Sequence, residues 1–167
     1  GGKTGGLGKV FTELVYEYSI QDAITEGSLC PVRALAIRTE LDLSGVDPED
    51  EKKLEAMVDT EERNAIVADK YVEHASGRQG IAFAASIAHA EHVAAALQAR
   101  GVNAVAVWGI DKQRARKIAD YQAGRITVLC NNNLLSEGFD APMTSVVLLA
   151  RPTQSVGLYA QQVGRVT

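Results

Sequence analysis

Short apolar runs that alternate with helical segments, from residue 60 to residue 150, limit the possible folds of this chain more than any other feature. Continuous apolar runs of this length are typical of strands that are buried on both faces. Strands are expected at residues 81–84, 104–108, 127–130 and 146–150, and helices at 60–75, 86–100 and 111–123. The alternation predicts an α/β fold, with a mostly parallel sheet covered by helices on both faces.

Polar residues follow three of the expected strands, at the edge of the sheet where the carboxyl ends of parallel strands meet. Asn131 to Asn133 come after the third strand and Arg151 after the fourth. Ser86 comes after the first strand, where it can cap the next helix and, with the free N–H groups of the first helical turn, hold a phosphate. We therefore expect the functional site at this edge, although a simple helix cap also accounts for Ser86.

Two sequence motifs and one longer segment resemble a known family. S-E-G-F-D-A-P at residues 136–142 and Y-A-Q-Q-V-G-R at 159–165 resemble motifs V and VI of the superfamily 2 helicases. Residues 80–97 resemble motif IV, in the order and spacing of the family. The chain is thus similar to the second, C-terminal RecA-like lobe of DEAD/DEAH-type helicases. E-G-F-D and R-P-T-x-S are usual in the branch that includes restriction-enzyme motor subunits and DNA-repair helicases.

This resemblance implies a three-layer RecA-like domain and half of an ATP-dependent helicase or translocase. ATP hydrolysis with Mg²⁺ would drive movement along nucleic acid, with DNA expected. The positions that match ATP-binding residues of the family are Gly138, Asp140, Gln161 and Arg165. Gln161 and Arg165 are the implied catalytic residues, with Arg165 as an arginine finger. The positions that match nucleic-acid contacts are Ser86, Asn132 and Thr153.

Other interpretations of these residues stay open on the sequence alone. E-G-F-D is also a turn pattern, and a salt bridge at a helix end also accounts for Arg165. Asn132 and Asn133 stand where many relatives carry Thr and Asp, but an amide can still donate a hydrogen bond to a phosphate. The family carries a further Arg three residues after Arg165, a position beyond Thr167.

The chain is expected to be one lobe rather than a whole motor. Residues 1–10 do not match a phosphate-binding loop, because Gly8 and Lys9 are followed by Val10 rather than by Ser or Thr. This glycine-rich segment is therefore expected to be a linker between lobes. The remaining residues, 11–167, are the lobe, with an acidic surface connector at 44–62 and its closing strand cut off. ATP and Mg²⁺ would be held mainly by an N-terminal RecA-like lobe of the same protein, so the isolated chain is expected to be inactive.

The N-terminal part of the lobe carries weaker signals. Ser19 and Asp22 predict the start of a short helix that Gly27 ends. Residues 33–43 alternate between polar and apolar side chains, which predicts a half-buried strand.

Composition bears on partners and location. A net charge of −4 and a pI near 5.4 predict weak nucleic-acid binding by this lobe alone. The basic residues Lys112, Arg114, Arg116 and Lys117 are interpreted as a solvated helix surface, with a contact to nucleic acid left open. The sequence lacks a membrane-length apolar run, and Cys30 and Cys130 are expected to be reduced thiols, so a cytoplasmic location without membrane contact is expected.

Two histidines one helical turn apart, His89 and His92, are interpreted as surface residues, and no metal site is expected. Two further functions stay open. One is a RecA-like scaffold or binding module without motor activity. The other is a Rossmann-type enzyme that binds a cofactor, although the chain lacks the G-x-G-x-x-G of dinucleotide-binding domains.

Overall fold

The computed structural model describes residues 20–27, 31, 33–37, 51–132 and 142–151. The chain divides into two compact units, Gly1–Arg33 and Ala34–Thr167. In the first unit, helix α1 (Ile20–Thr25) is followed by Gly27, whose φ of 77° is a left-handed conformation that glycine adopts without strain. The prediction of a short helix ended by Gly27 is confirmed.

The second unit contains four helices and four strands among its described residues. The helices are α2 (Glu51–Val58), α3 (Glu61–Ala75), α4 (Ile87–Gln98) and α5 (Arg114–Gln122). The strands are β1 (Gly80–Phe83), β2 (Ala104–Val107), β3 (Val128–Asn131) and β4 (Val146–Leu149). All three strand pairs are parallel, in the order β2-β3-β1-β4. The elements predicted between residues 60 and 150 are confirmed, with ends that differ by up to three residues.

The helices begin and end where the sequence supplies capping groups. Thr60 Oγ1 accepts a hydrogen bond from Arg63 N at 3.3 Å and so caps α3. Ser86 Oγ caps α4 by accepting from His89 N at 3.0 Å. Each cap satisfies an N–H group that has no acceptor within its own helix.

Apolar residues fill both faces of the sheet. Alternate strand residues on one face pack with α3 and α4 into a first core, whose members include Tyr71, Ala82, Val93, Leu97, Ala106 and Cys130. Residues on the other face pack with α5 into a second core, which contains Ile81, Phe83, Val107, Tyr121, Ile126 and Leu129. Since side chains along a strand point to opposite faces, burial of both sets requires a helix layer on each side. This is the predicted three-layer RecA-like architecture.

The strand predicted at residues 33–43 is wrong over residues 33–37, the part of it that the structure describes. Residues 33–37 are exposed and form no strand, although their sequence alternates between polar and apolar side chains. Alternation makes a strand only where a neighbouring strand accepts the backbone hydrogen bonds. The proposed linker at 1–10 lies outside the described residues, whereas the proposed connector at 44–62 includes α2 and the start of α3. Among the described residues, no helix has the length and apolar character needed to span a bilayer.

Candidate functional site

The segments that follow β1, β3 and β4 lie side by side at the carboxyl edge of the sheet. Phe83, the last residue of β1, is in register with Asn131 of β3 and Leu149 of β4. Beyond the strands, Ala84 N donates to Asn131 O at 2.8 Å, and Ala150 N donates to Phe83 O at 3.0 Å. The edge therefore brings together the segments that the sequence placed there.

Ser86 lies in the loop from β1 to α4, which we call the β1–α4 loop (residues 84–86). Its backbone is extended, with φ −143° and ψ 176°, and its carbonyl accepts from Ala90 N at 3.0 Å. Ser86 is half-buried, and the next two residues, Ile87 and Ala88, are exposed. N–H groups in the first turn of a helix have no acceptor within that helix and can bind an anion. The structure thus confirms the cap and leaves this turn open to a ligand.

Asn131 and Asn132 have different roles at the end of β3. Asn131 is fully buried, and its Nδ2 donates to Ala82 O of β1 at 3.0 Å, so it joins two strands rather than facing a ligand. Asn132 is half-buried. Its Oδ1 atom is buried and has no hydrogen-bond partner within the described part of the chain. Of the two amides, Asn132 is the less buried.

A chain of hydrogen bonds runs from the β1–α4 loop to the surface. Ala85 N donates to His89 Nδ1 at 3.1 Å, and His89 Nε2 lies 3.1 Å from Asn64 Oδ1. Asn64 Nδ2 then donates to Asp59 Oδ1 at 2.8 Å. Asp59 Oδ2 lies 2.8 Å from His92 Nδ1 at the surface. We call Ala85, His89, Asn64, Asp59 and His92 the histidine network.

The network determines the protonation of His89. Because a backbone N–H can only donate, Nδ1 must be the unprotonated nitrogen, and the ring proton therefore lies on Nε2, facing Asn64. Burial is the main cause that lowers the pKa of His89, and Arg63 and His92 lower it further, whereas Asp59 and Glu55 raise it. The ring is therefore held neutral.

The assignment of His89 to the surface is wrong, because only 1% of the residue is exposed. His89 lies on the same side of α4 as Val93 and Leu97, both in the first core. This apolar spacing was visible in the sequence and could have indicated a buried, hydrogen-bonded histidine. His92 does lie at the surface, with 62% of its side chain exposed. No group of three or more metal-ligating side chains occurs in the described ranges.

A second polar cluster lies beyond the end of β2. Lys117 Nζ donates to Ala106 O at 2.8 Å and to Asp111 Oδ2 at 2.7 Å, and lies 4.8 Å from the centre of the Trp108 ring. The Lys117 hydrogen bond is the main cause that lowers the pKa of Asp111, followed by the N–H of Gln113. Lys117 is therefore engaged within the protein.

The other three basic residues of this region, Lys112, Arg114 and Arg116, are exposed. Their exposure agrees with the interpretation of a solvated surface. The half-buried Trp108 packs against the first core.

Five of the proposed site residues lie outside the described residues. They are Gly138, Asp140, Thr153, Gln161 and Arg165. The assignment of ATP contacts to four of them and of a nucleic-acid contact to Thr153 stays a prediction. Ser86 and Asn132 are described, and both lie at the carboxyl edge.

Comparison with known proteins places residues 62–167 in the family of the helicase conserved C-terminal domain. The putative ATP-dependent helicase IRC3 of Saccharomyces cerevisiae is 29% identical over 168 residues, which cover 95% of this chain and 24% of that protein. A 51.5 kDa protein of a Lactococcus phage (isolate 7-9) is 41% identical over 98 residues, which cover 58% of this chain and 22% of that protein. The chain thus spans about a quarter of the length of these two relatives.

Solved structures show the same architecture. The C-terminal domain of S. cerevisiae Dbp5, in a complex with Gle1 and IP6, is 28% identical to the chain, with a TM-score of 0.53. The match covers 65% of each chain. The parallel sheet with helices on both faces is therefore shared with the C-terminal domain of Dbp5.

Proposed function

This chain belongs to the helicase conserved C-terminal domain family, as the second RecA-like lobe of a superfamily 2 helicase, and we propose that it is half of an ATP-driven motor on nucleic acid. The other half is an N-terminal RecA-like lobe of the same protein. The observation that carries the proposal is the position of the β1–α4 loop. This loop belongs to the segment that resembles motif IV, and it lies at the carboxyl edge beside the ends of β3 and β4.

In this proposal the carboxyl edge holds the nucleic-acid backbone. Ser86 and the first-turn N–H groups of α4 donate to a phosphate, and the positive end of the helix dipole favours the anion. Asn132 contributes its amide, which can either donate to or accept from a ligand. Thr153 is assigned to the same path by the family resemblance. Contacts of this kind recognise the backbone and give little sequence preference.

ATP lies between the two lobes in this proposal, held mainly by the N-terminal lobe. Bound Mg²⁺ neutralises charge on the phosphates. From this chain, Gly138 lets the backbone approach the nucleotide, and Asp140 hydrogen-bonds to it. Gln161 and Arg165 face the γ-phosphate. Arg165 stabilises the charge that spreads over the transferred phosphoryl group, because a guanidinium is planar and permanently charged.

DNA is the proposed substrate, and the cytoplasm the proposed location. The sequences E-G-F-D and R-P-T-Q-S support DNA, because they resemble the motifs of restriction-enzyme motor subunits and DNA-repair helicases. In this proposal the protein moves along one strand as its two lobes open and close. RNA is the alternative substrate, and binding experiments must compare the affinities for DNA and RNA directly.

Ser86→Asp in the full-length protein tests the nucleic-acid contact. Aspartate caps helices as well as serine does, so α4 should remain stable, but its negative charge repels a phosphate. Fluorescence anisotropy with labelled single-stranded DNA and RNA should show binding weakened about tenfold or more. The control is Ala95→Glu, which adds the same charge to the exposed side of α4, nine residues further along. Unchanged affinity in Ser86→Asp would refute the contact.

ATP hydrolysis by the full-length protein and by the isolated chain tests whether this lobe needs the N-terminal lobe for activity. The full-length protein should hydrolyse ATP with Mg²⁺ and be stimulated by single-stranded nucleic acid. The isolated chain should be inactive, because the phosphate-binding loop and the metal-binding carboxylates belong to the other lobe. A full-length protein without ATPase activity would favour a scaffold instead of a motor.

A further inference from the structure

The β1–α4 loop is held from inside the protein by one hydrogen bond to a side chain. Ala85 N donates to His89 Nδ1, while the next residue, Ser86, caps α4. His89 thus fixes the peptide between Ala84 and Ala85, one residue before the proposed phosphate contact at Ser86. A rotation of this peptide would move Ser86 and the N–H groups of the first turn of α4.

The ring of His89 is itself fixed on its far side. Its Nε2–H faces Asn64 Oδ1, and Asn64 is in turn held by Asp59 at the α2–α3 junction. The proton on Nε2 leaves Nδ1 as an acceptor, so the contact with α3 selects the tautomer that binds Ala85. The loop and the N-terminal end of α3 are therefore connected through one imidazole ring.

We propose that His89 is a positioning residue for nucleic-acid binding, and that it holds Ala85 N–H so that the β1–α4 loop presents Ser86 and the first turn of α4 to a phosphate. This inference rests on the proposed function and assigns a role to a residue that touches neither nucleic acid nor ATP. A histidine that served only for packing would need no acceptor facing the loop.

The inference implies a dependence on pH. The groups that act on His89 are Glu55 of α2, Asp59 at the α2–α3 junction, Arg63 of α3 and His92 of α4. Burial outweighs the two carboxylates, so the pKa of His89 is lowered and the ring is neutral at pH 7. A proton on Nδ1 would remove the acceptor of Ala85 N–H and release the loop. Affinity for nucleic acid should therefore be constant at the ordinary pKa of histidine, about 6.5, and fall only at a lower pH, as the lowered pKa of His89 is passed.

Two substitutions at His89 separate the hydrogen bond that Ala85 N–H donates from the hydrogen bond to Asn64. In His89→Asn, the amide oxygen can take the place of Nδ1 and accept from Ala85 N–H, but the contact with Asn64 is lost. In His89→Gln, the amide nitrogen can take the place of Nε2 and donate to Asn64, but the acceptor for Ala85 is lost. Both variants remove the buried ring of His89, so similar losses of thermal stability are expected.

The test measures binding of labelled single-stranded DNA and RNA to the full-length protein, together with ATPase activity as a function of nucleic-acid concentration. His89→Gln should weaken binding about tenfold, and His89→Asn should remain within about twofold of wild type. The concentration of nucleic acid that gives half-maximal ATPase should rise in parallel. The kcat at saturating nucleic acid should stay within about twofold, because His89 acts on binding.

The pH profile provides a second readout that does not depend on either variant being folded. As the pH is lowered from 7.5 through the pKa of His89, wild type and His92→Gln should both lose affinity, since the relevant proton binds His89. His92→Gln should do so at a higher pH, because His92 is one of the groups that lower the pKa of His89. His89→Asn, if folded, should lose much less. Melting temperatures at each pH establish that the protein remains folded.

Three results would overturn the positioning role: equal binding by His89→Gln and wild type, equal weakening by both His89 variants, or a wild-type affinity that does not change as His89 becomes protonated. Ser86→Asp distinguishes this failure from failure of the proposed function. If Ser86→Asp weakens binding and His89→Gln does not, only the role of His89 is wrong. If Ser86→Asp binds like wild type, the phosphate contact itself is wrong.

Discussion

A buried pair of hydroxyl groups should couple α5 to the segment that leads into β4. Tyr121 Oη lies 2.7 Å from Thr144 Oγ1. Tyr121 is fully buried and Thr144 is 5% exposed, so water cannot readily replace either partner. Burial raises the pKa of Tyr121 to about 12, so the phenol carries its proton at neutral pH. The two side chains therefore form a neutral hydrogen bond in a dry environment.

Removal of one hydroxyl leaves the other buried without this partner. Tyr121→Phe and Thr144→Val should each reduce the free energy of unfolding by about 1–2 kcal/mol, because removing one partner of a buried hydrogen bond costs about 1–3 kcal/mol. The double variant should cost no more than either single one, since it removes both polar groups together. The expected coupling energy is therefore about 1–2 kcal/mol, within the range for residues that share a hydrogen bond.

Urea denaturation of the 167-residue chain measures these differences. Each single variant should lower the midpoint by roughly 0.5–1 M, from a slope of about 2 kcal/mol per molar urea. The urea midpoint of the double variant should be close to the midpoints of the single variants. Strictly additive losses would refute the reasoning, because they would mean that the two hydroxyls do not interact.

Two further predictions test the cores. Leu97→Ala removes a fully buried side chain from the first core and should cost about 2–5 kcal/mol in the free energy of unfolding. Ile110→Ala, at a residue that is 90% exposed, should change it by less than about 0.5 kcal/mol, and similar losses in both variants would contradict the assigned core. Burial raises the pKa of the Cys130 thiol far above its ordinary value, so alkylation at pH 8, followed by mass spectrometry of the Cys130 peptide, should occur only as the protein unfolds. Rapid alkylation of the native protein would contradict this burial.

The sequence predicted the elements of the sheet and its carboxyl edge because these depend on local patterns. Residues 128–130, directly before Asn131, are all apolar, and a strand buried on both faces requires that pattern. Ser86 could be recognised as a cap because a hydroxyl stands immediately before an apolar helix. Both features involve neighbours within a few residues.

Contacts between distant residues could not be predicted in the same way. Asn131 was expected to face a ligand, but its amide bonds to the carbonyl of Ala82, 49 residues earlier in the sequence. His89 was assigned to the surface, but its partner Asn64 lies 25 residues away on another helix. The environment of such polar side chains depends on packing between elements. The strand predicted over residues 33–37 was wrong for a related reason, since an alternating sequence does not provide a partner strand.

The most direct test of the motor assignment is ATP hydrolysis by the full-length protein that carries Arg165→Lys. Lysine keeps the positive charge but loses the planar, forked donors that fit a phosphoryl group. With saturating Mg²⁺, ATP and single-stranded nucleic acid, kcat should fall by roughly 10³ to 10⁵-fold if Arg165 is an arginine finger, while binding of nucleic acid stays within about twofold. A variant that hydrolyses ATP as fast as the wild-type protein would contradict the proposal that this lobe supplies the arginine finger of an ATP-driven motor.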